Sequence, residues 1–298
     1  MSYFAEPFGG ATLNAAINVY VEGQLQTAEG EEEGLFNGPQ RVSGPAGKYI
    51  IGDRDPLVVK YGTSIPTGSG LGTSATLNVV WLALVRREEV TTREDKMHLA
   101  ELAYETEKTL GIIGGKQDQY ASAVGGINLF EFTSEGVTGE PVNIAPDRLA
   151  ELESLMLLCY TGKARLSSNI HRNVWGNFRA GNQTTLNALF SLRQSAYEAR
   201  DAMEQWDLQR LADIISAQRH YMRDLDASTS NEQIEQLFDL TAPDVLGGKP
   251  TGAGGGGCIL FIARDQQAKE NCRDRLEAQH LHVLNVAFDF EGVVVTRQ

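Results

Sequence analysis

The residues with the plainest chemical purpose are Pro66, Gly68, Ser69, Gly70, Leu71, Gly72, Thr73 and Ser74. They join a strand-like run, Leu57 to Tyr61, to a long apolar run that begins near Thr76. Glycines at 68, 70 and 72 reach backbone angles closed to other residues, so several N–H groups can converge on one point without side chains in the way. A helix that follows directly adds its own unpaired N–H groups and the positive end of its dipole. Thr73 and Ser74 bring two hydroxyls to that helix start, one able to cap the backbone and the other to reach a phosphate or a phosphate-bound metal. Phosphate is the expected guest, and a tight turn without a ligand is the alternative. Two well-known phosphate loops fit poorly. No Lys precedes Thr73, as a Walker A loop requires, and Gly70-Leu-Gly72-Thr-Ser-Ala75 matches a dinucleotide fingerprint only in part.

Two further clusters carry chemistry. In Gly114-Gly-Lys116-Gln-Asp118, preceded by Glu105 and Glu107, Asp118 can act as base or orienter for a hydroxyl nucleophile while Lys116 stabilises phosphoryl oxygens. Glu107 would then share a magnesium ion with Ser74. The plainer alternative for Asp118 is a first-turn acid that complements a helix dipole. The other cluster is Gly252, Ala253, Gly254, Gly255 and Gly256, which runs straight into the apolar stretch Cys258 to Ala263, with Lys249 beside it as a local cation. So much bare backbone is expected where another backbone or a ligand approaches closely, and a flexible loop is the alternative.

The elements that must hold these residues can be read from pattern. Leu13 to Glu22 reads as one strand entered from the turn Phe8-Gly9-Gly10. Thr76 to Arg87 reads as a mostly apolar, buried helix. Thr92-x-x-Asp95 is a capping box opening a helix through about Leu110, and a second helix runs from Lys116 to Gly125-Gly126. Strands are expected at Ile127 to Phe132, Leu155 to Tyr160 and Cys258 to Ala263, and long helices at Thr184 to Gln205 and Leu208 to Asp224. Strands flank helical pairs without strict alternation, which predicts an α+β fold.

Composition narrows the partners. The 298 residues include 26 basic and 39 acidic side chains, a net charge of −13, which argues against nucleic acid or an anionic membrane as the main partner. An anionic substrate would need local positive groups, and the glycine-loop amides can provide them. The cysteines Cys159, Cys258 and Cys272 are too few and scattered for a disulfide framework or zinc cluster, which points to a cytoplasmic protein. The longest apolar run, near Val79 to Val85, is far short of a bilayer span.

Taken together, the motifs resemble those of the GHMP kinases, the galactokinase, homoserine, mevalonate and phosphomevalonate kinase superfamily. Pro66-x-Gly-x-Gly-Leu-Gly-Thr-Ser-Ala75 looks like its central motif, and Gly252-Ala-Gly-Gly-Gly-Gly257 resembles its C-terminal glycine motif. Within it, Leu110 to Gly126, Tyr160-Thr-Gly-Lys163-Ala-Arg165 and Gly181-Asn-Gln-Thr184 look most like D-glycero-D-manno-heptose 7-phosphate kinases and their sugar-kinase relatives. The resemblance runs from about Gly9 almost to the last residue.

It implies a two-lobed α+β fold, with a ribosomal-protein-S5-like N-terminal lobe over 1–150, a C-terminal lobe over 151–298, and ATP in the cleft between them. It implies Ser74 and Glu107 as magnesium ligands and Asp118, eleven residues after Glu107, as the base or orienter. The acceptor would be a small sugar or sugar phosphate, most closely the anomeric hydroxyl of the heptose phosphate. Gly9, Gly10, Lys163 and Arg165 would lie on the substrate side, the latter two joining His171 and Arg172 in a basic patch for a distal phosphate. A homodimer is compatible with the chain. Relatives also carry an Arg-bearing strand and a Gly-Gly-Gly-[Thr/Ser]-Asp turn ahead of the point where this chain starts, and the stretch from Val42 to Tyr61 looks shorter than theirs. The alternatives are therefore a kinase for a non-phosphorylated sugar of the fucose or galactose type, or a nucleotide-binding relative without catalysis.

Overall fold

The computed structural model describes residues 2–27, 48–49, 57–64, 68–86, 89–111, 114–163 and 168–296. Pro66, Arg165 and most of the stretch from Val42 to Tyr61, all named above, lie outside these residues. In chain order the first half contains α1 (Ser2–Phe8), β1 (Gly10–Ala15), β2 (Val21–Thr27), β3 (Lys48–Tyr49), β4 (Leu57–Thr63), α2 (Thr73–Arg86), α3 (Arg93–Thr109), α4 (Gln117–Val124), β5 (Ile127–Phe132) and β6 (Val137–Pro141). The second half continues with α5 (Pro146–Leu155), β7 (Met156–Tyr160), α6 (Ser168–Arg179), α7 (Gln183–Gln205), α8 (Leu208–Leu225), a short 3-10 turn (Ala227–Thr229), α9 (Glu232–Thr241), β8 (Val245–Pro250), β9 (Cys258–Ala263), α10 (Gln266–Glu277) and β10 (His282–Leu284). The fold is α+β, as the pattern predicts.

Among the described residues three antiparallel sheets form, ordered β1-β5-β6, β2-β4-β3 and β10-β7-β9-β8. Strand β9 is central in the last of these, so its residues have apolar neighbours on both faces: Cys258, Ile259, Phe261, Ile262 and Ala263 are all buried. The expected capping box closes on α3, where Thr92 Oγ1 accepts from Asp95 N and Asp95 Oδ2 accepts from Thr92 N at 2.9 Å. That start lets α3 run its full length, carrying Glu107 on its buried face in the last turn.

Helix α4 is short and has no side-chain cap, so packing must hold it. Tyr120 supplies it, with ring centroids 5.4 Å from Phe130 and 6.0 Å from Phe132 and a hydroxyl that donates to Glu101 Oε2 at 2.7 Å. Phe130 is fully buried, worth ~2–3 kcal/mol for such a side chain. Further along, Gly126 N donates to Asp289 O and Val293 N to Ala123 O, so a segment from the far end of the sequence fastens the C-terminal end of α4.

The single strand expected over Leu13 to Glu22 is divided. β1 pairs with β5 and β2 with β4, and between them Ile17 bridges Phe288 while Asn18 N donates to Ala287 O. A distant partner has captured the middle of an apolar run whose local pattern gives no sign of a break. Between the separated strands, α2 and this returning segment lies a mainly apolar cavity of about 750 Å³.

Candidate active site

Helix α2 starts at Thr73, directly after glycines 68, 70 and 72, all three with φ between 73° and 81°. These are left-handed angles that a side chain would strain, and they turn the loop so that its amides face one side. Among the described residues no group accepts from the N–H of Gly70, Leu71, Gly72 or Thr73. Four consecutive donors without a described acceptor, beneath a helix N-terminus, are an arrangement that suits an anion. Ser74 is exposed in the first turn and faces a second cavity of about 420 Å³, together with Gly68, Gly70, Gly72 and Thr73. Ser69 is fully buried, and its carbonyl accepts from Cys258 N at 2.7 Å, so it holds the loop in place rather than facing the cavity.

Gly72 joins the loop to the acid. A Cβ on Gly72 would stand 3.1 Å from Asp118 Cβ and 3.5 Å from its Oδ2, so the loop backbone and the carboxylate of α4 are neighbours. Thr76 Oγ1 and Ser122 Oγ, 2.7 Å apart, bind the same two helices one turn further on. The protein walls around Asp118 push its carboxyl above the ordinary range, a hydrogen bond from Gln117 opposing part of that.

Glu107 is buried, with Oε1 accepting from Asn78 Nδ2 and Oε2 from Gln119 Nε2, both at 2.7 Å. Desolvation is the main cause of its raised pKa, and Asp118 adds a like charge. Two amides satisfy part of the carboxylate but neutralise nothing. A divalent cation would reverse both unfavourable terms, and a carboxylate plus the Ser74 hydroxyl lining the same cavity is an oxygen donor set that suits magnesium. The residues present fit that ion. Among the described residues no group of three or more His, Cys, Asp or Glu is arranged to hold a metal, so bound phosphate oxygens and water would supply the remaining ligands.

The second glycine cluster packs against the first. A Cβ on Gly70 would be 2.8 Å from Thr251 O, and one on Gly252 would be 3.0 Å from Gly70 O. Gly252, Ala253, Gly254 and Gly256 face the second cavity, whereas Gly255 turns its N–H to Thr229 O. The close approach expected of this bare backbone is to another backbone.

Other expected site residues are placed differently. Lys116 does not face either cavity. Its ammonium pairs with Glu101 Oε1 at 2.5 Å and lies 4.8 Å from the Tyr104 ring centroid, because a carboxylate one helix away competes for it. A phosphoryl contact by Lys116 therefore has no support in this arrangement. Gly10 lines the second cavity, and the carbonyl of Gly9 accepts from Arg193 at 3.3 Å. Lys163 and Arg172 are exposed and face neither cavity. His171 does line the second cavity, but burial lowers its pKa to about 4, so it is a neutral imidazole there and not part of a cationic patch. Two basic residues that the linear reading left unassigned or only noted in passing, Arg193 and Lys249, line the cavity instead. Arg193 also lies over the Phe190 ring on α7, and its place on an otherwise amphipathic helix gave no local signal.

No described helix is long and apolar enough to cross a membrane. Comparison with known proteins agrees with the geometry. Residues 46–126 match the GHMP kinases N terminal domain and residues 188–282 match GHMP kinases C terminal. A D-glycero-alpha-D-manno-heptose 7-phosphate kinase of Campylobacter jejuni is 30% identical over 98% of this chain and 93% of its own length. A bifunctional fucokinase/GDP-fucose pyrophosphorylase of Arabidopsis thaliana is also 30% identical, over 76% of this chain but only 22% of that protein. Among solved structures, a D-glycero-D-manno-heptose 1-phosphate kinase of Bacteroides thetaiotaomicron shares the fold with a TM-score of 0.70 at 23% identity, covering 98% of this chain and 92% of that one. Lactococcus lactis galactokinase does so with a TM-score of 0.62 at 15% identity, covering 97% and 96%. With both halves of the family matched and a relative of this similarity along nearly its whole length, the chain belongs to the GHMP kinases, phosphotransferases that act on an alcohol group.

Proposed function

We propose that the chain moves the γ-phosphoryl group of ATP to the anomeric hydroxyl of a sugar phosphate of the D-glycero-D-manno-heptose 7-phosphate type. The observation that carries the reaction is the contact of Gly72 with Asp118: open phosphate-binding amides and a carboxylate of raised pKa meet at one point. The relative at 30% identity, itself a heptose 7-phosphate kinase, supports the acceptor.

In this reading the amides of Gly70 to Thr73 hold the nucleotide's phosphates. Asp118 orients the acceptor hydroxyl and takes its proton as the new oxygen–phosphorus bond forms and the bond to the ADP oxygen breaks. Ser74 and Glu107 would hold a magnesium ion, whose charge neutralises the phosphate oxygens when it is bound. Gly10, Thr12 and Arg193, which line the same cavity, would form the acceptor side. The fold contributes mainly position and charge, because a loose phosphoryl-transfer transition state needs little covalent help.

A non-phosphorylated acceptor is the second reading. It draws support from the neutral state of His171 and the outward placement of Lys163 and Arg172, which leave a distal phosphate fewer cations than the sequence implied. ADP release measured over a panel of sugars and their phosphates separates the two. Heptose 7-phosphate is expected to exceed the free sugars in kcat/KM by about 100-fold or more, the worth of a charged contact or two. Equal or faster turnover of free fucose or galactose would exchange the two readings.

A further inference from the structure

Eight residues line both cavities and so frame the passage between them: Leu13 and Thr251, and six that bear on chemistry, Gly70, Gly72, Asp118, Gln218, Lys249 and Gly252. Five belong to the glycine loops, the acid or a neutral amide. The sixth, Lys249, is a cation with no assigned task.

It stands near the end of β8, two residues before Thr251 lays its carbonyl against Gly70. Its ammonium donates to Gln218 Oε1 at 2.6 Å. The amide behind that contact has a fixed direction. Ser195 Oγ gives its hydrogen to Leu192 O at 2.8 Å, so it accepts from Gln218 Nε2, also at 2.8 Å. Gln218 must then turn its carbonyl oxygen toward Lys249. An ammonium has three donors and no acceptor, and the other two donors of Lys249 have no partner among the described residues.

A cation withdrawn from water without an opposite charge is unfavourable, and here burial lowers the ammonium to about 8. Asp118 and Glu22 share the cavity walls with it, yet neither pairs with it. The arrangement is incomplete without an anion, and the open amides of the glycine loop attract one to the same place.

We infer that Lys249, aimed by Gln218, is a catalytic residue that grips a non-bridging oxygen of the phosphoryl group in transit from nucleotide to acceptor. This rests on the kinase reading above. The acceptor oxygen bonds to phosphorus, the bond to the ADP oxygen breaks and leaves its electron pair on ADP, and the hydroxyl proton passes to Asp118. Lys249 keeps its protons throughout and supplies the full positive charge that neutral amides lack. Its neighbours are the loop and the acid, whereas His171 lines only the second cavity, which places the lysine at the transferred group rather than at a distal one.

The test is Lys249→Met, which keeps length and removes charge; a melting temperature equal to or above that of the wild type shows that it folds. With ATP, kcat is expected to fall about 100-fold for every acceptor, phosphorylated or not, while both KM values stay within about threefold. Calorimetry with magnesium and a non-hydrolysable ATP analogue, at pH 8 in two buffers of different ionisation heat, reads the anion site without turnover. The wild type should take up part of a proton on binding, because the phosphate raises the lysine's pKa, and Lys249→Met should not. An unchanged kcat in the variant overturns the inference. So does a KM increase confined to phosphorylated acceptors with kcat intact, which would put the lysine at the distal phosphate. Wild-type protein that releases no ADP with any acceptor sinks the kinase reading, and proton uptake then decides the anion site by itself, its absence overturning it.

Discussion

The two glycine-rich loops touch and have similar composition, but they differ in how many of their amides are tied to other backbone. Between Gly70 and Thr73 the N–H groups have no described acceptor, and a helix begins immediately. In the second loop Gly254 N donates to Thr251 O, Gly255 N to Thr229 O and Gly257 N to Lys163 O, whereas Gly252, Ala253 and Gly256, which line the second cavity, have no described acceptor; a buried strand follows. The first loop is bare and leaves its donors open, which is what the proposed phosphate site requires. The second is bare so that other backbones can come close, and in doing so it fixes the first. A glycine run therefore says little about function until its donors are traced to their partners.

Three substitutions can break or sharpen this contrast. The largest effect is expected outside both loops, at the acid the first one meets. Asp118→Asn should lower turnover about 1,000-fold and leave nucleotide affinity within about threefold, read by ADP release and calorimetry. Because the folded state raises the pKa of this carboxyl, the charge is a cost to stability at neutral pH, and the native state binds more protons than the unfolded one between the two pKa values. The Asn variant should melt higher than the wild type at pH 7 to 8, and that gain should shrink as pH falls toward the ordinary Asp value. A variant with full turnover would remove Asp118 from the chemistry.

Next comes Gly72→Val, which puts a branched side chain at φ 73° with its Cβ 3.1 Å from Asp118 Cβ. About 100-fold loss in kcat/KM and about tenfold weaker nucleotide binding are expected in a protein that still folds. The smallest functional effect belongs to the second loop. Gly254→Ala, whose Cβ would meet Thr229 O at 2.4 Å, should lose ~1–3 kcal/mol in denaturant melts while the folded fraction binds nucleotide within about twofold. If Gly254→Ala impaired binding as severely as Gly72→Val, the two loops would share one task and the contrast would fail.

Much of the scaffold was legible because its signals are local. Strands β5 and β9 occupy the residues expected, each an apolar run bounded by glycine. The capping box at Thr92 needs only four neighbouring residues to be seen. Helix α9, absent from the pattern reading, has a comparable local signal in Asn231 as its N-cap with Ile234, Leu237, Phe238 and Thr241 along one face. The short α1 was hidden by Pro7, which reads as a helix breaker. What no local pattern could reveal were choices made by distant partners. Phe288 divides the run from Leu13 to Glu22, Glu101 draws Lys116 away from the cavity, and the fold turns Arg193 and Lys249 toward it while Lys163 stays outside. At the candidate site, the glycine loop and Asp118 stand out by residue type and spacing; their contact, made across two helices, is not visible in either.

The fastening of α4 by Asp289 and Val293 also orders events in time. About 160 residues separate Gly126 from the Asp289 carbonyl that receives its N–H, a gap that a ribosome working at roughly 5–20 residues per second crosses in about 10–30 s. A nascent chain that already contains Asp118 must wait through that interval before the clasp beneath it can close. Newly made enzyme should thus gain activity only after the end of the chain has emerged.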